Sequence, residues 1–218
     1  MTQAADLTLD ELRVQLAPQI AEAAIFDGWS DAALVNASIA AGVDPAVARL
    51  AFHGGAMDMV EAWSASVDAK MEAAFDREAL AQMPIRERIR TLVWFRLEAV
   101  LGLEEALRRA LSIEAMPQNL ARTARLGWES ADKMWRLAGD TATDYNHYTK
   151  RAILAGVYGA TLAVFIDDHS EAKGETRAFL DRRIEGVMKF EKAKARWLAK
   201  REHFDPVRFL GRLRYPAR

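Results

Sequence analysis

The stretch SDAALVNASIAAGVDPAVARLAFHGG, residues 30–55, predicts two short helices joined by a tight turn. Ser30 is a suitable N-cap for the first helix, because its hydroxyl can accept a hydrogen bond from a free backbone amide. Gly42 is a suitable stop, since glycine tolerates the left-handed backbone that often follows a helix. Asp44 and Pro45 then supply a cap and a first-turn proline for the second helix. Two such helices around a tight glycine turn are typical of a helix-turn-helix unit.

The residues before this stretch predict at least one further helix. Thr8 and Glu11 have the spacing of a capping box, in which each side chain binds the other residue's backbone amide. Pro18 lacks an amide donor, so we expect it either to kink that helix or to open a second helix that runs to Phe26. Gly28 then ends the segment.

Longer helices are predicted after residue 55, because apolar residues recur at spacings of three and four. The clearest case is one stripe formed by Val60, Trp63, Val67, Met71 and Phe75. Further helices are expected from Pro84 to about Val100, from Glu104 to Ala115, from Pro117 to Gly139, from a cap at Thr143 or Asp144 to about Ile166, and from about Glu171 past Phe190. The chain is therefore predicted to be all-α, with nine to ten helices. Its expected parts are a helix-turn-helix-like unit (residues 1–55), a larger helical body (56–191) and a C-terminal tail (192–218).

Catalytic and metal-binding motifs are not evident. The chain has no cysteine and four histidines, none of them in a His-Glu-x-x-His or Glu-x-x-His pattern. Asp144 and His147 could be half of a metal site, but a capping carboxylate beside a surface histidine explains them better. The two glycines Gly156 and Gly159 lie inside a predicted helix and cannot form a phosphate-binding loop. We therefore expect no catalytic residue, no metal and no cofactor. A hydrolase or metalloenzyme is the weakest alternative.

DNA binding is disfavoured by charge, although the helix-turn-helix pattern suggests it. Proteins bind the phosphate backbone mainly through lysine and arginine. Residues 1–60 contain only Arg13 and Arg49 against eight acidic residues, a balance of −6. The second short helix, which would read the bases, offers one arginine and otherwise small or apolar side chains.

The C-terminal tail has the opposite charge, since residues 189–218 sum to +7 in a chain whose net charge is −1. Asp205 and Pro206 can start a short helix with one apolar arc, which predicts an interfacial membrane helix with four contacting residues: Val207, Phe209, Leu210 and Leu213. The alternative is that this helix folds back onto the acidic body and covers its apolar pocket. No apolar run approaches the roughly 20 residues that span a bilayer, and the first residues do not resemble a signal peptide. We expect a cytoplasmic protein, peripheral on the inner face of the membrane.

The stretch MWRLAGDTATDYNHYTKRAILA, residues 134–155, resembles the signature of the ninth Coq protein family, which are accessory proteins of ubiquinone biosynthesis. Gly28-Trp29 and the stretch AFLDRRI, residues 178–184, also fit the family. The resemblance extends over about residues 15–190. One difference is His147, where the family pattern has tryptophan.

The resemblance implies a fold like that of TetR repressors, a homodimer, and a bound isoprenoid or phospholipid in place of an inducer. It also implies assistance to the di-iron hydroxylase that acts on demethoxyubiquinone, by presentation of the polyprenylated quinone. A ligand-sensing transcriptional regulator of the TetR type remains the main alternative, because a shared fold does not establish function.

Three groups of residues are candidates for these roles. A partner-docking surface is expected from the family motif, against the simpler possibility of a structural corner: Asp132, Met134, Trp135, Asp144, Tyr145, Tyr148 and Arg151. Large aromatic residues are candidates for the lipid pocket, although each could be ordinary core: Trp94, Trp128, Tyr158 and Phe165. Small residues on one helix favour a dimer seam over packing inside a monomer: Ala152, Ala155, Gly156, Gly159, Ala160 and Ala163.

Overall fold

A computed structural model of the protein describes residues 7–143 and 145–202. These residues form ten α-helices and no strand, which confirms the predicted all-α fold. The helices are α1 (Leu9–Asp27), α2 (Asp31–Ala40), α3 (Pro45–Ala51), α4 (Ala56–Ala74), α5 (Arg77–Ala81), α6 (Ile85–Glu98), α7 (Glu104–Glu114), α8 (Leu120–Leu137), α9 (Tyr145–Phe165) and α10 (Gly174–Glu202). Short 3-10 turns at Pro117–Asn119 and Glu171–Lys173 precede α8 and α10.

The three N-terminal helices begin where the sequence predicts. The capping box at α1 is formed, with the Thr8 amide 2.9 Å from Glu11 Oε2. Ser30 Oγ accepts from the Ala33 amide at 3.3 Å, and Asp44 Oδ1 accepts from the Ala46 amide at 2.8 Å. Gly42 has a φ of 69°, as expected for the residue that ends α2. The helix-turn-helix pattern is thus present in the structure.

The proline in α1 does not open a second helix. One helix continues through Pro18, so that alternative is wrong. Leu16 and Ile20, on either side of the proline, are both fully buried. Because both side chains pack in the core, the helix stays continuous although Pro18 has no backbone amide to donate.

One hydrophobic core joins the N-terminal helices to the body of the protein. It runs from Leu12 to Ile184 in sequence. Trp29 connects the two parts, because its Nε1 donates to the Ala106 carbonyl of α7 at 2.9 Å and its ring centroid lies 5.3 Å from that of Trp63 on α4. The aromatic residue of the Gly28-Trp29 pair is therefore a core residue.

The corner between α9 and α10 is held by a buried carboxylate and two strained residues. Asp168 accepts hydrogen bonds from the amides of Ser170 at 2.9 Å and Thr176 at 2.7 Å. Burial of Asp168 raises its pKa, but these bonds favour the ionised form more strongly, and the net pKa lies well below the usual range. Ala172 and Lys173 have φ values of 50° and 55°, in the left-handed region that non-glycine residues rarely occupy.

Helix α5 was not predicted from the sequence. It has five residues, and Asp76 Oδ1 accepts from the Glu78 amide at 3.2 Å to cap it. Leu80 is its one buried residue. A helix of this length is too short to show an apolar period.

In the part of the chain that the structure describes, no helix combines the length and apolarity needed to cross a membrane. The four residues predicted to contact membrane, Val207, Phe209, Leu210 and Leu213, lie outside the described residues, as does Asp144.

Candidate functional site

Arg151 organises the corner between α8 and α9, which the family motif spans. It is only 2% exposed. Its Nε donates to Asp132 Oδ1 at 2.5 Å, and its Nη1 donates to Asp140 Oδ2 at 3.1 Å. Lys150 Nζ donates to the other Asp140 oxygen at 2.7 Å. Burial of Asp140 raises its pKa, but the bonds from Lys150 and Arg151 outweigh this effect and lower it. The motif thus builds a charged cluster that fixes the start of α9 against the end of α8.

An aromatic cluster covers the outside of this corner. The Trp128 ring lies 5.9 Å from that of Tyr148 and 6.2 Å from that of His147. Tyr148 is 61% exposed and Tyr145 is 75% exposed, so both offer their rings to solvent. His147 Nδ1 lies 2.9 Å from the Ala142 carbonyl, which ties the histidine to the loop before α9. The cluster is a surface suited to a partner protein, since tyrosine and tryptophan often anchor interfaces.

The predicted partner-docking residues divide into two groups. Tyr145 and Tyr148 are exposed, whereas Met134 is fully buried and Arg151 nearly so. Asp132 is held by Arg151 and also by Arg136, whose Nε lies 2.7 Å from Asp132 Oδ2. Buried residues of the motif therefore support the corner, and the exposed tyrosines present a surface.

A cavity opens beside the same corner, between α6, α8, α9 and α10. We call it the outer cavity; its volume is about 360 Å³. Its lining is mainly apolar: Ile85, Ile89, Trp135, Ala138, Ile153, Leu154, Val157, Ile184, Val187 and Met188. Such a lining is suited to an aliphatic chain, because apolar pockets carry few polar groups.

Charged residues also line the outer cavity. Lys150 is among them, and its Nζ lies 5.4 Å from the centre of the Trp135 ring. Trp135 Nε1 donates to the Lys150 carbonyl at 3.0 Å, which fixes the indole in the cavity wall. Arg88 also lines the cavity, and its Nη1 donates to the Ala138 carbonyl at 2.7 Å. Trp135 thus belongs to the cavity as well as to the corner.

The four aromatic residues predicted to bind lipid are not brought together. Trp94 lies in a cleft between α6 and α10, where the Arg177 guanidinium stacks 3.6 Å from the ring centre. Trp128 belongs to the aromatic cluster, and Phe165 is fully buried beneath the Lys173 ammonium. Tyr158 lines a second cavity on the other side of α9.

The residues of the outer cavity that sequence reasoning missed are aliphatic. Ile85 and Ile89, Ile153 and Val157, and Ile184 and Met188 are pairs one helical turn apart. This spacing was visible, but it is also the spacing of ordinary core residues, and only the arrangement of three helices distinguishes a cavity from a filled core. Among residues 7–143 and 145–202, no group of three or more His, Asp or Glu side chains could hold a metal ion.

The fold and the site define a class: an all-α protein with a TetR-like fold and an apolar cavity next to an aromatic corner. The structure is similar to the crystal structure of the TetR transcriptional regulator from Nitrosomonas europaea, with a TM-score of 0.63 and 18% sequence identity. The match covers 80% of this chain and 97% of that one. At this identity the likeness shows the fold alone, and the predicted TetR-like fold is confirmed.

The COQ9 family model matches residues 120–191, the segment that contains the corner and much of the outer cavity. The resemblance indicated by the sequence motif is thus confirmed over this segment. The chain is 32% identical over 168 residues to the mitochondrial ubiquinone biosynthesis protein COQ9 of Rattus norvegicus, covering 74% of this chain and 54% of that protein. It is 29% identical to the Homo sapiens protein of the same name, covering 74% and 52%. The chain thus spans about half the length of the curated relatives it matches.

Proposed function

We propose that this protein has an accessory role in ubiquinone biosynthesis and binds a lipid with an isoprenoid tail in the outer cavity. The observation that carries this proposal is an apolar cavity directly beside the exposed aromatic corner of the segment that matches the COQ9 family model. The names of its relatives place them in ubiquinone biosynthesis. The cavity lining is aliphatic, and Lys150 and Arg88 provide polar contacts for a quinone or phospholipid head group.

The same corner is the proposed docking surface for the di-iron hydroxylase that acts on demethoxyubiquinone. Tyr145 and Tyr148 are exposed at the corner, and their sequence neighbours Asn146 and Thr149 line the outer cavity. A partner seated on the tyrosines would therefore lie next to the bound lipid. In this proposal the hydroxylase performs the chemistry, and the present chain is not an enzyme.

The small residues of α9 support a proposed homodimer. Ala152, Gly156, Gly159, Ala160 and Ala163 are all exposed, so they do not serve helix packing inside one chain. Ala155 is the exception: its Cβ lies 3.8 Å from where a Cβ on Gly127 of α8 would be. A row of small exposed side chains allows a second helix to approach closely.

The C-terminal tail is the proposed membrane contact, in keeping with a peripheral position on a membrane surface. This rests on the apolar arc and the basic charge of residues 189–218. A bilayer-dissolved substrate must be reached from the surface, and several basic residues near anionic lipid each contribute on the order of 1 kcal/mol.

Lipid binding is tested by mass spectrometry of lipids extracted from the purified protein, compared with an Ile153→Trp variant. Ile153 lines the outer cavity, so tryptophan should fill it and reduce the recovered isoprenoid lipid several-fold. Val47→Trp is the control, since Val47 is partly exposed on α3 and far along the chain from the cavity. Equal isoprenoid recovery from both variants would place the lipid elsewhere.

A further inference from the structure

A second cavity lies on the opposite side of α9 from the outer cavity. We call it the inner cavity; it has a volume of about 280 Å³ and is lined by residues of α4, α6, α7, α8 and α9. Leu154 and Val157 face the outer cavity, whereas Ala155, Tyr158 and Gly159 face the inner one. The inner walls are largely apolar: Val60, Trp63, Leu107, Ala110, Leu111, Leu126 and Leu162.

Arg96 is the exception in this apolar lining. It comes from α6, is 98% buried, and donates from Nη2 to Ser130 Oγ at 3.1 Å and to Ser64 Oγ at 3.2 Å. Its guanidinium carbon lies 4.9 Å from the centre of the Tyr158 ring. Its Nε has no hydrogen-bond partner among the residues that the structure describes. A buried polar atom without a partner costs free energy, so an acceptor in the cavity would stabilise it.

The buried charge of Arg96 is paired within the chain. Its partner is Asp68 of α4, which is itself buried. The second oxygen of Asp68 lies 3.4 Å from Lys133 Nζ of α8, whose side chain is 34% exposed and therefore solvated. What remains unsatisfied is the hydrogen bond of Arg96 Nε, which an acceptor entering the cavity can take.

We propose that the inner cavity binds a compact aromatic carboxylate, with the carboxylate at Arg96 and the ring between Trp63 and Tyr158. Two features select this ligand class. The unpartnered Nε of Arg96 selects a hydrogen-bond acceptor, for which a carboxylate is the strongest group, and the apolar and aromatic walls select a ring. This site is separate from the proposed isoprenoid site and does not depend on it.

A second titratable group of the cavity, Glu114 of α7, sets an expected pH dependence. Burial raises its pKa to about 7, and the neighbouring charge of Glu61 on α4 adds to the shift. Glu61 is in turn paired with Arg122 and Arg125 of α8. As pH rises above 7, Glu114 ionises and adds a negative charge to the cavity. Carboxylate binding should therefore be weaker at pH 8 than at pH 6.

Titration calorimetry of the full chain with 4-tert-butylbenzoate tests the proposal, with 4-tert-butylbenzamide as an uncharged probe of similar shape. We expect the benzoate to bind with a Kd of about 0.1 mM and the amide at least about tenfold more weakly, a difference of about 1.4 kcal/mol. Equal affinities for the two probes, or no saturable benzoate binding at millimolar concentration, would overturn the proposal.

Two glycine variants locate the binding. Gly159 lines the inner cavity, and a Cβ added there meets no atom within 4 Å, so Gly159→Leu should enter the cavity without a backbone clash. Gly156, one turn earlier, is equally open but lines neither cavity, which makes Gly156→Leu the matched control. Both lie on the proposed dimer seam, so light scattering should record the mass of each variant.

We expect Gly159→Leu to weaken benzoate binding at least about tenfold and Gly156→Leu to leave it unchanged. Arg96→Gln should also abolish binding, but it leaves Asp68 less paired and can destabilise the fold, so the glycine pair carries the test. Benzoate binding that is the same in both glycine variants would show that the ligand lies elsewhere.

Discussion

Arg151 and Arg136 both bind Asp132, one from inside the protein and the other from its surface. Arg151 is buried and reaches Oδ1 from α9, whereas the Arg136 side chain is 65% exposed and reaches Oδ2 from one turn along α8. The two ion pairs share a carboxylate but differ in how much water surrounds the guanidinium. They therefore allow a direct comparison of buried and exposed charge pairs at one site.

Replacement of Arg151 by Met should lower the free energy of unfolding by about 3 to 5 kcal/mol, because it leaves Asp132 and Asp140 without their buried partner. Arg136→Met should change it by less than about 1 kcal/mol, since exposed pairs contribute little. Urea denaturation followed by circular dichroism measures both. Similar losses for the two variants would mean that Arg151 does not hold the corner.

Tyr148→Lys should weaken co-purification with the hydroxylase without loss of helicity, because the ring is exposed and its contacts with the rings of Trp128 and His147 lie at the surface. Trp135→Lys should also weaken co-purification. This variant should in addition contain less bound lipid, since Trp135 lines the outer cavity. Phe26→Lys is the control, as Phe26 is exposed at the end of α1, away from the corner. Undiminished co-purification of both corner variants would move the docking surface elsewhere.

The stability of the protein should fall as pH rises from about 5 to 8 through the raised pKa of Glu114. Its pKa is about 7 in the folded state against an ordinary value of 4.5, so between these values the folded state binds a proton that the unfolded state has released. Glu114→Gln removes this effect. The free energy of unfolding of the variant should exceed that of the wild type by more at pH 8 than at pH 5. The two excesses should differ by on the order of 1 to 3 kcal/mol.

Denaturant titrations at the two pH values measure that difference. Glu72→Gln, an exposed change on α4, serves as the control and should show no comparable dependence. A gain for Glu114→Gln that is equal at both pH values would contradict the assignment of a buried carboxyl to Glu114.

DNA binding should be absent. The structure adds to the charge argument, because Arg49, the one basic residue of α3, is paired with Asp31 through two contacts of 2.7 and 2.8 Å. Its guanidinium is therefore already occupied by a carboxylate. A mobility-shift assay with genomic fragments at moderate salt should give no specific complex, and nanomolar sequence-specific binding would instead support the transcriptional regulator.

Truncation after Glu202 should reduce cosedimentation with anionic vesicles and have little effect with neutral ones. The reason is the basic, apolar-faced segment that follows, which contains Val207, Phe209, Leu210 and Leu213. If the shortened chain sediments as well as the intact one, the tail is not the membrane contact.

Much of the fold could be predicted from local signals. Ser30, Asp44 and the Thr8–Glu11 pair act on their own neighbours, so the sequence shows where α1, α2 and α3 begin. Whether α1 continues through Pro18 could not be decided in this way, because burial of Leu16 and Ile20 depends on helices distant in sequence. Helix α5 was not predicted, because five residues are too few to show the helical spacing of apolar side chains.

The candidate site was less predictable than the fold. The motif directed attention to Trp135, Tyr145 and Tyr148, which the structure places around one corner. The aromatic residues predicted to bind lipid lie in separate places, because an aromatic ring can fill the core as well as line a cavity. The buried Arg96 was also missed. Nothing in the sequence distinguishes it from the exposed arginines of the chain, because its burial results from the packing of α4, α6 and α8.

The left-handed pair Ala172–Lys173 has a mechanical consequence for the end of the chain. These two residues set the direction in which α10 leaves the turn between α9 and α10. Lys173 Nζ stabilises this turn by donating to the Phe165 and Asp168 carbonyls at 3.2 and 2.9 Å. Helix α10 has 29 residues, which at 1.5 Å per residue makes a lever roughly 43 Å long. A rotation of about 5° at this pivot would displace the far end of α10 by roughly 4 Å. The backbone conformation of these two residues thus sets the position at which α10 ends at Glu202.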